Sequence, residues 1–118
     1  IEVHEQYGFG VEGNNAETIE AKIIQDADNL DAMGSIGIAR AFTFGGANCL
    51  MLWDGKILKN GFYDSQKIGE NTLQHLYDKT MLLKDYMNTE TAMKIAEGRH
   101  VFVEQFVDQF KKEWVGEL

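Results

Sequence analysis

The chain has no proline, one cysteine, and 11 basic residues against 19 acidic ones among its 118 positions. Each scarcity excludes something. The lone Cys49 cannot form an internal disulfide, so the fold must rest on its core, and a chain of this length can bury one unaided. Missing proline removes the strongest interruption of a helix. A net charge of −8, with the basic residues scattered, gives no surface suited to DNA or RNA phosphates. A small phosphorylated ligand is still compatible, because a metal can neutralise phosphate locally. No apolar run is long enough to span a membrane and no secretory segment is evident, so the expected compartment is the cytoplasm.

What is present reads as helix. Apolar residues recur at 3.6-residue spacing with no period-two strand set, which predicts an all-α helical bundle over a single domain, 1–118. A first helix ends near Glu5 or Tyr7, followed by a turn-rich loop from Gly8 to Asn15. Thr18 is the expected N-cap of the next helix, with Asn14 and Glu17 as an alternative start, and this helix runs to about Met33. Gly34 and Gly37 permit a bend before helix resumes through Phe42, and Gly45-Gly46 is expected to end it. The span 47–71 reads as an irregular insertion, with Gly55 to Gly61 as a candidate hairpin. A further helix begins at Asn71 or Thr72, carrying Leu73, Leu76, Tyr77, Met81 and Leu83 on one broad face, with Tyr86 beyond. After a turn at Asn88-Thr89, a long final helix carries Phe102, Phe106, Phe110 and Trp114 as a stripe widened by Val103 and Val107. That stripe predicts packing in the core or against a second copy, as in a homodimer.

The most informative stretch is Ala21 to Gly46, where Asp26, Asp28 and Asp31 interrupt an apolar helical pattern. A buried carboxylate must be paired, hydrogen-bonded or bound to a cation. On a helix Asp28 and Asp31 lie about 60° apart, whereas Asp26 lies about 200° from Asp28 and points elsewhere. Geometry therefore separates a candidate pair from an outlier, without choosing within the pair. Helix capping or pairing with Arg40 or a lysine would explain the same acids. Arg40 follows Asp28 by close to a whole number of turns if no bend intervenes, and its guanidinium suits phosphate oxygens; an internal salt bridge is the plainer reading. His75 and Lys79, four residues apart, project together and offer a proton-transfer group and a phosphate-binding cation. Their plainer reading is a packed histidine and a solvated lysine. His100 reads as structural.

These residues also resemble a known family. Ala27-Asp28-Asn29-Leu30-Asp31-Ala32, the following Met33-Gly34-Ser35-Ile36-Gly37-Ile38-Ala39-Arg40, His75-Leu76-Tyr77-Asp78-Lys79, and Met87-Asn88-Thr89-Glu90-Thr91-Ala92 are similar, in that order, to the C-terminal half of small bacterial HD-domain phosphohydrolases. The resemblance implies the rear part of an HD-domain fold and a metal-dependent hydrolase acting on a nucleotide or related small phosphoester. It implies that Asp28 is a ligand to a divalent ion such as Mn²⁺, Mg²⁺ or Fe²⁺, with Asp31 orienting another ligand or a metal-bound water. Arg40 and Lys79 would then bind substrate phosphate, with His75 and His4 as candidate proton shuttles; His4 corresponds to a histidine near the metal cavity of related hydrolases. The family's His-Asp pair does not occur, since His4, His75 and His100 are each followed by another residue. The expectation is an incomplete HD domain whose remaining ligands precede Ile1, inactive on its own. The alternative from another class is a non-catalytic helical module that binds a partner or its own copy.

Overall fold

The computed structural model describes residues 18–58 and 71–117, which form four helices: α1 (Ile19–Asp31), α2 (Gly34–Ala47), α3 (Thr72–Leu83) and α4 (Glu90–Trp114). The expected first helix, His4 and the distal half of the candidate hairpin lie outside the described residues. All the described secondary structure is helical, and α1, α2 and α3 each pack against α4.

Side chains mark the starts of three helices. Thr18 accepts a hydrogen bond from the Ala21 amide, Asn71 from that of Gln74, and Thr89 from that of Ala92, each satisfying an amide left over by the first turn. Helix α1 stops two residues earlier than the apolar pattern suggested, at Asp31. Ala32 and Met33 break the run, Gly34 enters α2 at φ +71°, and the Arg99 guanidinium donates to the Leu30 carbonyl at 2.7 Å. The straight helix that would align Asp28 with Arg40 is therefore absent.

Gly45-Gly46 does not end α2, which continues to Ala47. A Cβ at Gly45 would run into the Thr72 side chain, so this glycine lets α2 approach the start of α3 closely rather than terminating the helix. The described part of the insertion, Asn48 to Leu58, is irregular as expected. It has two structural tasks that periodicity does not reveal. Its Met51 and Leu52 carbonyls accept from the Thr72 and Leu73 amides, both at 2.9 Å, and its Trp53 is buried against Phe110 and Trp114.

Two apolar clusters line α4. Near its start, Leu30, Met33, Leu83 and Met87 pack over Ala92 and Ala96; farther along, Trp53, Leu73 and Leu76 pack over Val103 and Val107. The expected aromatic stripe divides, because Phe106 and Phe110 pack on the second cluster while Phe102 and Trp114 remain about half exposed, at 47% and 45%. The valines, which were expected only to widen the stripe, form its buried centre.

Candidate functional site

The three acids of α1 have three different fates. Asp26, the expected outlier, is 3% exposed and accepts four hydrogen bonds: from the Asn88 amide (2.7 Å), Asn88 Nδ2 (3.0 Å), the Thr89 amide (3.0 Å) and the Thr89 hydroxyl (2.8 Å). Asn88 Nδ2 also lies within hydrogen-bonding distance of Gln25 Oε1 and the Lys22 carbonyl. Asp26 therefore latches the α3–α4 turn to α1. The Asn88-Thr89 pair was read only as a turn; its burden of donors, opposite an acid on another helix, was the available signal. Asp28 is half-buried with its Oδ2 shut away from solvent. Asp31 is exposed in the last turn of α1, so the two members of the candidate pair sit in different surroundings.

Three of the expected substrate-side groups converge. Phe44, four residues after Arg40 on α2, stacks on the His75 ring of α3 with centroids 5.2 Å apart and planes inclined by 15°. Lys79 lies four residues after His75 and feels the charge of Arg40. The two i, i+4 pairs thus interlock, Phe44 with His75 and Arg40 with Lys79. Burial lowers the His75 pKa from its ordinary value, and the neighbouring Lys79 charge lowers it further. Burial likewise lowers that of Lys79, with the Arg40 charge as the second cause. Arg40 is exposed while His75 and Lys79 are half-buried, and in a chain of net charge −8 their proximity is a local concentration of basic groups rather than a general basic surface.

Asp28 can supply one oxygen ligand to a divalent ion. Among the described residues, no three His, Cys, Asp or Glu side chains are grouped closely enough to hold a metal. These residues thus fit part of a coordination sphere and do not complete one. No described helix is long and apolar enough to cross a membrane.

The comparisons point to one class of protein: hydrolase-like members of the HD superfamily, whose helical fold this arrangement matches. A crystal structure of an HD-superfamily hydrolase from Bacillus thuringiensis is 45% identical and superposes with a TM-score of 0.66, over 84% of this chain and 48% of that one. A Lactobacillus plantarum protein is 36% identical with a TM-score of 0.73, over 87% of this chain and 50% of its own. The uncharacterized protein YpgQ of Bacillus subtilis is 43% identical over 99 residues, which are 84% of this chain and 42% of YpgQ. A crystal structure of YpgQ in complex with ADP superposes with a TM-score of 0.60. No protein-family model matches the chain. The chain spans about half the length of these relatives.

Proposed function

We propose that this chain supplies one wall of a metal-dependent phosphohydrolase of the HD type, acting on a nucleotide or related small phosphoester. The observation that carries the reading is the convergence of Arg40, Lys79 and His75, a local basic edge in an acidic protein. Similarity to an HD-superfamily hydrolase and to YpgQ, a protein crystallised with ADP, supports the choice of substrate class.

In this reading Asp28 contributes one ligand to a divalent ion, whose remaining ligands come from residues other than those described. When bound, such an ion supplies Lewis acidity and lowers the pKa of a water toward neutrality. Arg40 offers a planar fork to phosphoryl oxygens, and Lys79 a point charge close beside it. The two hold the charge that develops on the phosphoryl group. His75, its ring fixed by Phe44 and its proton affinity lowered, is neutral near pH 7 and able to accept a proton. His4 fills the same role in the alternative assignment. Asp31 would steer a ligand or water through a hydrogen bond.

The substrate-side half of this proposal is tested on the chain itself by following the His75 imidazole by NMR while adding inorganic pyrophosphate. Bound pyrophosphate raises the His75 pKa, and Arg40→Ala weakens binding by about tenfold or more, the scale of one charge-assisted hydrogen bond. A His75 titration indifferent to pyrophosphate contradicts the reading.

An interaction-module reading draws on a different observation. Ile19 and Ile23, one turn apart on α1, are 59% and 55% exposed, leaving an apolar strip that another helix could cover. A chain that stays monomeric at high concentration, with Ile23→Glu changing neither solubility nor association, rejects it.

A further inference from the structure

Phe44 stands at the basic edge with 40% of its surface in solvent. A single exposed hydrophobe is ordinary on a protein surface, so exposure alone gives it no task. Two further features set this ring apart. It is held at a fixed tilt, because one face stacks on His75 with the planes inclined by only 15°. It is also open on its own helix surface, since Ala47, three residues on along α2, ends at Cβ and is too short to cover a ring.

The position of the ring relative to the cations then matters. Arg40 lies one turn before Phe44 on α2, and Lys79 lies one turn after His75 on α3, beside Arg40. Rings therefore occupy one level of the edge and cations the next. Four residues of helix rise about 6 Å. That is close to the length of the ribose and its 5′ carbon, the piece of a nucleotide that separates the base from the first phosphate.

We propose that Phe44 is a nucleobase shelf: a 5′-nucleotide whose phosphate meets Arg40 and Lys79 lays its base on the outer face of the Phe44 ring, as the third layer of a stack that begins with His75. The inference rests on the phosphate-binding reading of this edge and adds that the ligand is held by its base as well as by its phosphate. Every base has a π face, so a shelf of this kind favours a nucleotide over a bare sugar phosphate without choosing among bases.

AMP and ribose 5-phosphate share sugar and phosphate and differ by the base alone. Each is titrated into the full chain while the Phe44 and His75 ring resonances are followed by NMR. AMP is expected to bind about tenfold more tightly, the scale of one base stacked on an aromatic side chain, and to shift the Phe44 resonances upfield through its ring current. Phe44→Leu brings AMP down to the affinity of ribose 5-phosphate and leaves ribose 5-phosphate unchanged, whereas Phe44→Trp keeps the preference for AMP. Equal affinity of the parent chain for the two ligands overturns the proposal. So does a Phe44→Leu chain that loses both ligands alike, because Phe44 then serves only to support His75. Inorganic pyrophosphate separates this failure from that of the phosphate edge. A parent chain that binds pyrophosphate and gains nothing from a base loses the shelf alone; one that ignores pyrophosphate loses the edge and the shelf with it.

Discussion

The two halves of α4 are fastened by different kinds of chemistry. At its start a single carboxylate, Asp26, gathers four donors from Asn88 and Thr89, and only small side chains, Ala92 and Ala96, face the core there. Farther along, the fastening is apolar: Val103 and Val107 sit under Leu73 and Leu76, with Trp53 closing the end from a loop. Hydrogen bonds fix direction and register and tolerate little change, whereas hydrophobic packing accepts substitutes of similar volume. The first half therefore sets how the chain turns from α3 into α4, and the second supplies bulk cohesion.

The sharpest way to break the polar half is Asp26→Ala, which leaves the Asn88 and Thr89 amides and the Thr89 hydroxyl without their acceptor, and the Asn88 side chain with only Gln25 Oε1 and the Lys22 carbonyl. It should lower unfolding free energy by about 4 kcal/mol in urea denaturation. At the apolar end, Trp53→Ala should cost about 3 kcal/mol. Trp53→Phe should recover most of that, while no neutral replacement recovers Asp26. If Asp26→Asn were as stable as the parent, the contrast between the halves would fail.

Gly45→Ala probes the α2–α3 contact and should cost about 1–3 kcal/mol, because the new methyl meets Thr72. Thr72→Ala in the same chain should return part of it, a coupling measurable by a double-mutant cycle. The smallest effect concerns acid sensitivity. Since the folded pKa of His75 lies below its ordinary value of 6.5, the unfolded chain takes up that proton first. The stability tied to neutral His75 is present above pH 6.5 and is lost as pH falls through the lowered value. His75→Gln should flatten the melting temperature in that window; an unchanged acid limb would argue against it.

Periodicity made the helices legible, and Thr18 was readable as a cap because its side chain acts locally, whereas Asn71 was read only as one of two possible starts. Gly45 misled because a glycine that ends a helix and one that admits a neighbour look alike without knowing that Thr72 stands opposite. Trp53 was hidden in a segment without a period, its burial created by residues some 60 positions away. Among the site residues, the spacing of His75 and Lys79 pointed to a shared face, and Phe44 and Arg40 on α2 turn that face into a cluster. Asp26 escaped because rotation about one helix says where an acid points and nothing about what waits there.

The central claim is that Asp28 helps to hold the ion and Arg40 with Lys79 the phosphate. Its most direct test is the metal-dependent hydrolysis of a nucleotide by the full-length protein, compared between Asp28→Asn and the parent with metal content measured in both. The account predicts that the variant loses both bound metal and activity, the latter by more than about 100-fold, since even groups that merely orient a metal ligand are worth about 10–100-fold. Equal metal content with equal activity would contradict it.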